Sequence, residues 1–241
     1  MTEAQIPGPD RPRKARERLI VALDFQDAAA ALAMVDRLGE EVTWYKVGME
    51  IFYAEGRVLL DALRGRGKRV FLDLKLHDTP NTMAMALRSL SRLPVELCTL
   101  HIPAGPEALR ACAAEVRRIA EAGGQAIGLL GVTRLTSLSP PDSFDPWKDV
   151  VSLAGQAVAC DIYGWIAPAA AAPLLRGAHG HGPVLVCPGI RLPDQAKQDQ
   201  MAVGTPEEAV RGGADWIVVG RPITRADDPP GAAREIVRRL V

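Results

Sequence analysis

The sequence predicts an α/β fold, a single (β/α)8 TIM barrel. Three observations predict it. Short apolar or β-branched runs alternate eight times with longer Ala-, Leu-, Arg- and Glu-rich stretches of helical spacing. The chain has 241 residues, near the typical size of roughly 250 for such a barrel. No Gly-x-Gly-x-x-Gly turn follows the first strand, which weighs against the alternative, an open doubly wound sheet.

The elements follow in order. Residues 1–17 are polar, charged and Pro-containing, and are expected to form a flexible arm ahead of a catalytic barrel domain at 18–241. Strands are expected at 19–23, 42–47, 69–74, 95–101, 126–132, 162–166, 184–187 and 216–219. Their near-continuous apolar character suits parallel pairing, with both faces covered. Helices are expected at about 27–38, 55–65, 80–92, 106–122, 149–160, 168–177, 205–212 and 229–240. Pro80, Pro106, Pro206 and Pro230 fall near helix starts, where a missing N–H costs little; Gly39, Gly67, Gly123 and Gly124 fall near helix ends. The longest connections, 133–148 and 188–203, follow the fifth and seventh strands. Long loops at strand C-terminal ends are where a barrel places its chemistry.

Composition narrows the function. Formal net charge is zero, so there is no global basic field to attract nucleic acid or an anionic membrane. A small anionic ligand needs only a local cluster of cations. Aromatic residues make up 5 % of the chain, so a core of Val, Leu, Ile and Ala is expected. Cys98, Cys112, Cys160 and Cys187 are widely spaced, with no Cys-x-x-Cys, and are expected to be buried free thiols. No apolar run is long enough for a membrane span and no secretory signal is apparent, so a cytoplasmic protein is expected.

Polar residues collect at the strand ends. Asp24 closes the first strand, Lys46 the second, and His101 the fourth. The third carries Asp73-Leu74-Lys75-Leu76-His77-Asp78. Strand alternation puts Asp73 and Lys75 on one face and Leu72, Leu74 and Leu76 on the other. A lysine between the carboxylates of Asp73 and Asp78 is expected to stay protonated, making it a positioned acid. A plain ion pair at a strand end is the structural alternative. After the seventh and eighth strands, Gly189 with Arg191 and Gly220 with Arg221 suit a phosphate: the glycines admit close approach and the guanidinium forks match its oxygens. Two surface arginines beside turn glycines are the alternative there. Asp24, Asp73 and Asp78 could ligate Mg²⁺, but the interleaved lysines would compete with the cation for the same carboxylates. His101 could meet ligand or merely satisfy neighbours, and no role is assigned to His77.

Taken together, Val21–Phe25, Lys46–Glu50, Phe71–Asp78, Val132–Ser137, Pro188–Arg191 and Val219–Thr224 resemble the bacterial orotidine 5′-phosphate decarboxylases over residues 18–240. Asp-x-Lys-x-x-Asp alone is shared with related sugar-phosphate barrels; the six segments in this order are far more specific. The resemblance implies decarboxylation of orotidine 5′-monophosphate to UMP in de novo pyrimidine biosynthesis, without metal or organic cofactor. It implies a homodimer with sites at the interface. It implies that Asp24 and Lys46 hold the ribose and the charge network, that Asp73 faces the substrate carboxylate, and that Lys75 is the proton donor. Asp78 would reach the partner's site, with Thr82 near the same ribose. Thr136 would meet the pyrimidine, and Arg191, Gln200, Gly220 and Arg221 would hold the phosphate, Gln200 from a loop that could close over ligand. The rivals are a metal-dependent sugar-phosphate lyase on the same barrel and a catalytically silent nucleotide binder.

Overall fold

The computed structural model describes residues 6–133, 146–192 and 204–241. Eight parallel strands close into a barrel in sequence order. They are β1 (Leu19–Ala22), β2 (Trp44–Gly48), β3 (Arg69–Leu76), β4 (Leu97–His101), β5 (Gly128–Val132), β6 (Gly164–Ile166), β7 (Val184–Cys187) and β8 (Trp216–Val219). The sheet closes through β1 and β8, with Ile20 opposite Val218. The helices are α1 (Ala28–Leu38), α2 (Met49–Gly65), α3 (Pro80–Leu90), α4 (Pro106–Glu121), α5 (Pro146–Val158), α6 (Ala172–His179), α7 (Pro206–Arg211), α8 (Arg221–Thr224) and α9 (Pro229–Arg238). Prolines open α3, α4 and α7 as expected.

Strand alternation sorts the core into two bodies. Leu19, Val21, Tyr45, Val47, Val70, Leu72, Cys98 and Leu100 face outward and pack with the helices in one large cluster. Ile20, Ala22, Trp44, Phe71, Leu97, Leu130, Val186, Trp216 and Val218 fill the barrel interior. Continuing each inward row past its apolar part leads to Asp24, Lys46, Asp73 and Thr99, so the same alternation that fills the barrel aims the polar residues at its mouth.

Three details differ from the sequence reading. The core is not purely aliphatic: Trp44, Trp165 and Trp216 are among the largest fully buried side chains. Trp44 and Trp216 meet edge to face at 5.8 Å inside the barrel, and the Arg69 guanidinium lies 4.2 Å over the Trp44 ring. Second, α2 begins at Met49 rather than near 55, with a kink at Glu55. The Glu55 carboxylate accepts a 3.0 Å hydrogen bond from the Ala28 amide at the start of α1. Third, the one-turn helix α8 follows β8 directly.

Residues 6–14 have no regular secondary structure. The carbonyl of Pro9 accepts a hydrogen bond from the Tyr163 hydroxyl, and Arg11 pairs with Asp215 at 3.3 Å. All four cysteines are free and buried, and burial raises the Cys112 and Cys187 thiols to about 12.

One ion cluster joins α3 to α4. Glu115 is buried and accepts hydrogen bonds from Arg118 and Arg88, each with a 2.7 Å contact. Those two arginines lower its carboxyl to about 2, from an ordinary 4.5. A lowered folded-state pKa stabilises the fold fully above the ordinary value and loses that stabilisation as pH falls toward the lowered one. Urea midpoints of the native protein and Glu115→Gln should therefore differ at neutral pH and converge between pH 4.5 and 2. A constant difference across that range would show that Glu115 acts only through its shape.

Candidate active site

The mouth of the barrel opens into a cavity of about 560 Å³, within the range of roughly 300–1,000 Å³ usual for small-molecule sites. Its walls include Asp24, Lys46, Asp73 and Lys75 from the first three strands, and Gly189, Arg191, Gly220 and Arg221 from the seventh and eighth. Two groups of residues singled out separately in the sequence thus line one space.

The charge array is continuous. Lys46 Nζ lies 3.0 Å from Asp24 Oδ1 and 3.7 Å from Asp73 Oδ2, while Lys75 Nζ lies 2.8 Å from that same Asp73 oxygen. The order is Asp24, Lys46, Asp73, Lys75. The inner members are sheltered, with the side chains of Lys46 and Asp73 12 % and 14 % exposed, while Asp24 at 65 % stands at the rim. Burial pushes the Asp73 carboxyl up, but Lys46, Lys75 and hydrogen bonds from Lys75 and Thr99 outweigh it and hold the group below its ordinary value. Asp73 is therefore a carboxylate at neutral pH.

Local backbone explains how Asp73 and Lys75 reach the same space. Leu72 pairs with Cys98 and Leu76 with Leu100, so β3 spends four steps where β4 spends two. The strand bulges between these points, and Lys75 adopts φ +50°, in the left-handed region that non-glycine residues rarely occupy. Leu72 and Leu74 are buried in the outer core and Leu76 packs against it, as alternation predicts.

Asp78 does not flank Lys75 within the chain, which corrects the picture of a lysine between two carboxylates. It is exposed just past the end of β3, and its Oδ1 accepts a 2.6 Å hydrogen bond from the Thr79 amide. That amide contact is the leading reason its carboxyl lies below the ordinary value. Thr82 is also exposed, its hydroxyl 2.9 Å from that of Thr79. Among the described residues, neither Asp78 nor Thr82 lines the cavity of its own chain. Thr136 and Gln200 lie outside the described residues.

On the opposite wall, Gly189 has φ +76°, a turn that favours glycine. Arg191 is buried, and its amide donates to the Gly204 carbonyl at 3.0 Å, tying the turn after β7 to the approach to α7. Arg225 also lines the cavity and was not singled out from the sequence. It is the C-cap of the one-turn helix α8, which the sequence reading did not anticipate. Phe25, Val132 and Ile166 supply apolar wall. His77 and His101 lie side by side with ring centroids 5.3 Å apart. Burial, then His77 and Lys75, lower the pKa of His101. Neither histidine lines the cavity.

Known proteins share this arrangement of chain. Residues 17–236 match the family model for the orotidine 5′-phosphate decarboxylase / HUMPS family. An orotidine 5′-phosphate decarboxylase of Rhodopseudomonas palustris (strain BisA53) is 44 % identical over 236 residues, covering 95 % of this chain and 97 % of that protein. One from Pseudomonas aeruginosa (strain LESB58) is 40 % identical over 229 residues, covering 92 % and 97 %. A crystal structure of orotidine 5′-phosphate decarboxylase from Lactobacillus acidophilus superposes with a TM-score of 0.81 at 32 % identity, covering 96 % of this chain and 99 % of that one. With its fold and nearly its whole length matched, the chain belongs to the orotidine 5′-phosphate decarboxylase / HUMPS family.

Proposed function

We propose that this protein converts orotidine 5′-monophosphate to UMP and CO2 in pyrimidine biosynthesis, with Lys75 protonating the C6 carbanion and no metal taking part. One observation carries the reading: the Asp24–Lys46–Asp73–Lys75 array and the Arg191/Arg221 pair line the same cavity, so one ligand can meet both. Loss of CO2 from C6 leaves an electron pair on a ring carbon with little delocalisation. An ammonium aimed at that carbon stabilises the pair and then supplies its proton. Asp73 holds that ammonium at 2.8 Å and disfavours the substrate carboxylate beside it. Binding energy from the phosphate end helps order the array around the substrate.

The metal-free reading rests on the lysines. Lys46 and Lys75 already pair with Asp24 and Asp73, two of the three carboxylates a divalent ion would need, and among the described residues no group of three or more His, Cys, Asp or Glu is arranged to hold a metal ion. Asp24 and Lys46 would hold the ribose, and Arg191, Gly220 and Arg221, with Gln200, the phosphate. Thr136 would meet the pyrimidine.

A homodimer is part of the proposal, with Asp78 and Thr82 contributed across the interface. The exposed apolar side chains Met49 and Tyr53 on α2 and Met85 on α3 support a partner on this side of the barrel. No helix among the described residues is long and apolar enough to cross a membrane, and the proposed place of action is the cytoplasm.

Offered orotidine 5′-monophosphate, the protein should release one UMP per CO2 and leave keto-pentose and hexulose phosphates unchanged. Turnover of a sugar phosphate in place of the nucleotide would establish the rival lyase reading. For the phosphate end, Arg221→Ala should raise KM for orotidine 5′-monophosphate by about 10- to 100-fold, the loss of one charge-assisted contact. The same substitution should hardly affect turnover of orotidine, which lacks the phosphate. An equal loss on both substrates would remove Arg221 from the phosphate site.

A further inference from the structure

We infer that Thr99, on β4, is a positioning residue that sets the geometry of the Asp73–Lys75 pair through its hydroxyl, an inference that rests on the proposed decarboxylation. Thr99 is 0 % exposed, one of few buried polar residues among those described. It occupies an inward-facing position of β4, between outward-facing Cys98 and Leu100. Its hydroxyl has two partners, both in the bulge of β3. It donates to Asp73 Oδ1 at 2.9 Å and accepts from the Lys75 main-chain N–H at 2.8 Å.

The bulge makes both contacts consequential. Where β3 bows away from β4 between Leu72 and Leu76, the regular ladder lapses. The Lys75 amide then needs another acceptor, because a buried N–H without one is costly. Thr99 supplies it, and the bond holds Lys75 at φ +50°. At the same time its donated hydrogen bond engages Oδ1 of Asp73, leaving Oδ2 facing Lys75 Nζ at 2.8 Å and Lys46 Nζ at 3.7 Å. One hydroxyl thus fixes the main chain of the proposed proton donor and the rotation of the carboxylate that aims it. A group that donates and accepts at once is required. Serine keeps it; valine has nearly the same shape and lacks it.

The test compares Thr99→Val with Thr99→Ser, measuring turnover of orotidine 5′-monophosphate and UMP binding by calorimetry. Thr99→Val should lower kcat by about 10- to 100-fold, as expected for a hydrogen bond to a charged group. Its KM and UMP affinity should stay within about threefold of native, because the phosphate wall is untouched. Thr99→Ser should keep kcat within about threefold of native. Valine equal to serine in kcat, in a native protein that does turn over the nucleotide, would overturn the role of Thr99 and leave the proposed function standing. If Thr99→Val fails to bind UMP, Thr99→Ala against Thr99→Ser decides by the same criterion. If the native protein shows no turnover, the proposed function fails, and the crystal structure of Thr99→Val settles the positioning role. An unchanged Lys75 backbone and Asp73 rotamer would overturn it, and a relaxed bulge would uphold it.

Discussion

Replacing Lys75 by alanine should lower turnover of orotidine 5′-monophosphate at least about 10⁴-fold, while UMP binding stays within a few-fold of native. General acids contribute roughly 10²–10⁴-fold and a single preorganised electrostatic contact roughly 10²–10³-fold. Lys75 is assigned both tasks, so its loss should exceed either alone. The fold should survive, because Asp73 keeps Lys46 at 3.7 Å and the Thr99 hydroxyl at 2.9 Å. UMP should still bind, because it carries no C6 carboxylate and its phosphate is proposed to meet the opposite wall. Single-turnover kinetics with product-binding calorimetry separates the two effects. Near-native turnover would remove Lys75 from the proton-donor role.

Asp78 leads to the second large effect. It is exposed and absent from the lining of its own cavity, yet the proposed function places its carboxylate in an active site. A two-fold dimer resolves this by placing each Asp78 in the partner's site. Asp78→Asn and Lys75→Ala homodimers should then each be nearly inactive. When the two variants are unfolded together and refolded, random pairing puts both lesions into one site of each heterodimer and leaves the other intact. Roughly a quarter of all sites should therefore be native, and about a quarter of native activity should return. A mixture as inactive as its parents would confine Asp78 to its own chain.

Much of the candidate site was legible because strand alternation and chemistry agree. Asp24, Lys46 and Asp73 extend the inward rows of Ile20–Ala22, Trp44 and Phe71, so their convergence follows from a period of two and a closed barrel. Arg191 and Arg221 were legible from the glycines beside them. What the linear pattern could not convey depends on pairing between strands. The two-residue slip of β3 against β4, the left-handed Lys75 and the hydroxyl of Thr99 exist only once β4 lies alongside. A single Thr in Leu97-Cys98-Thr99-Leu100-His101 gives no hint of that duty. The start of α2 was obscured because Ile51, Phe52 and Tyr53 suit strands as well as helices, and its kink at Glu55 breaks the helical period. The tryptophans inside the barrel were hidden by a low aromatic average that says nothing about where the few aromatics go.

The central claim is that lysine and carboxylate, without a metal, decarboxylate the nucleotide. It is tested most directly by following the ultraviolet absorbance of orotidine 5′-monophosphate mixed with the protein before and after exhaustive chelation. Conversion to UMP at the same rate in both samples is the predicted result. Conversion that disappears on chelation and returns with a divalent ion, or no conversion in either sample, would contradict it.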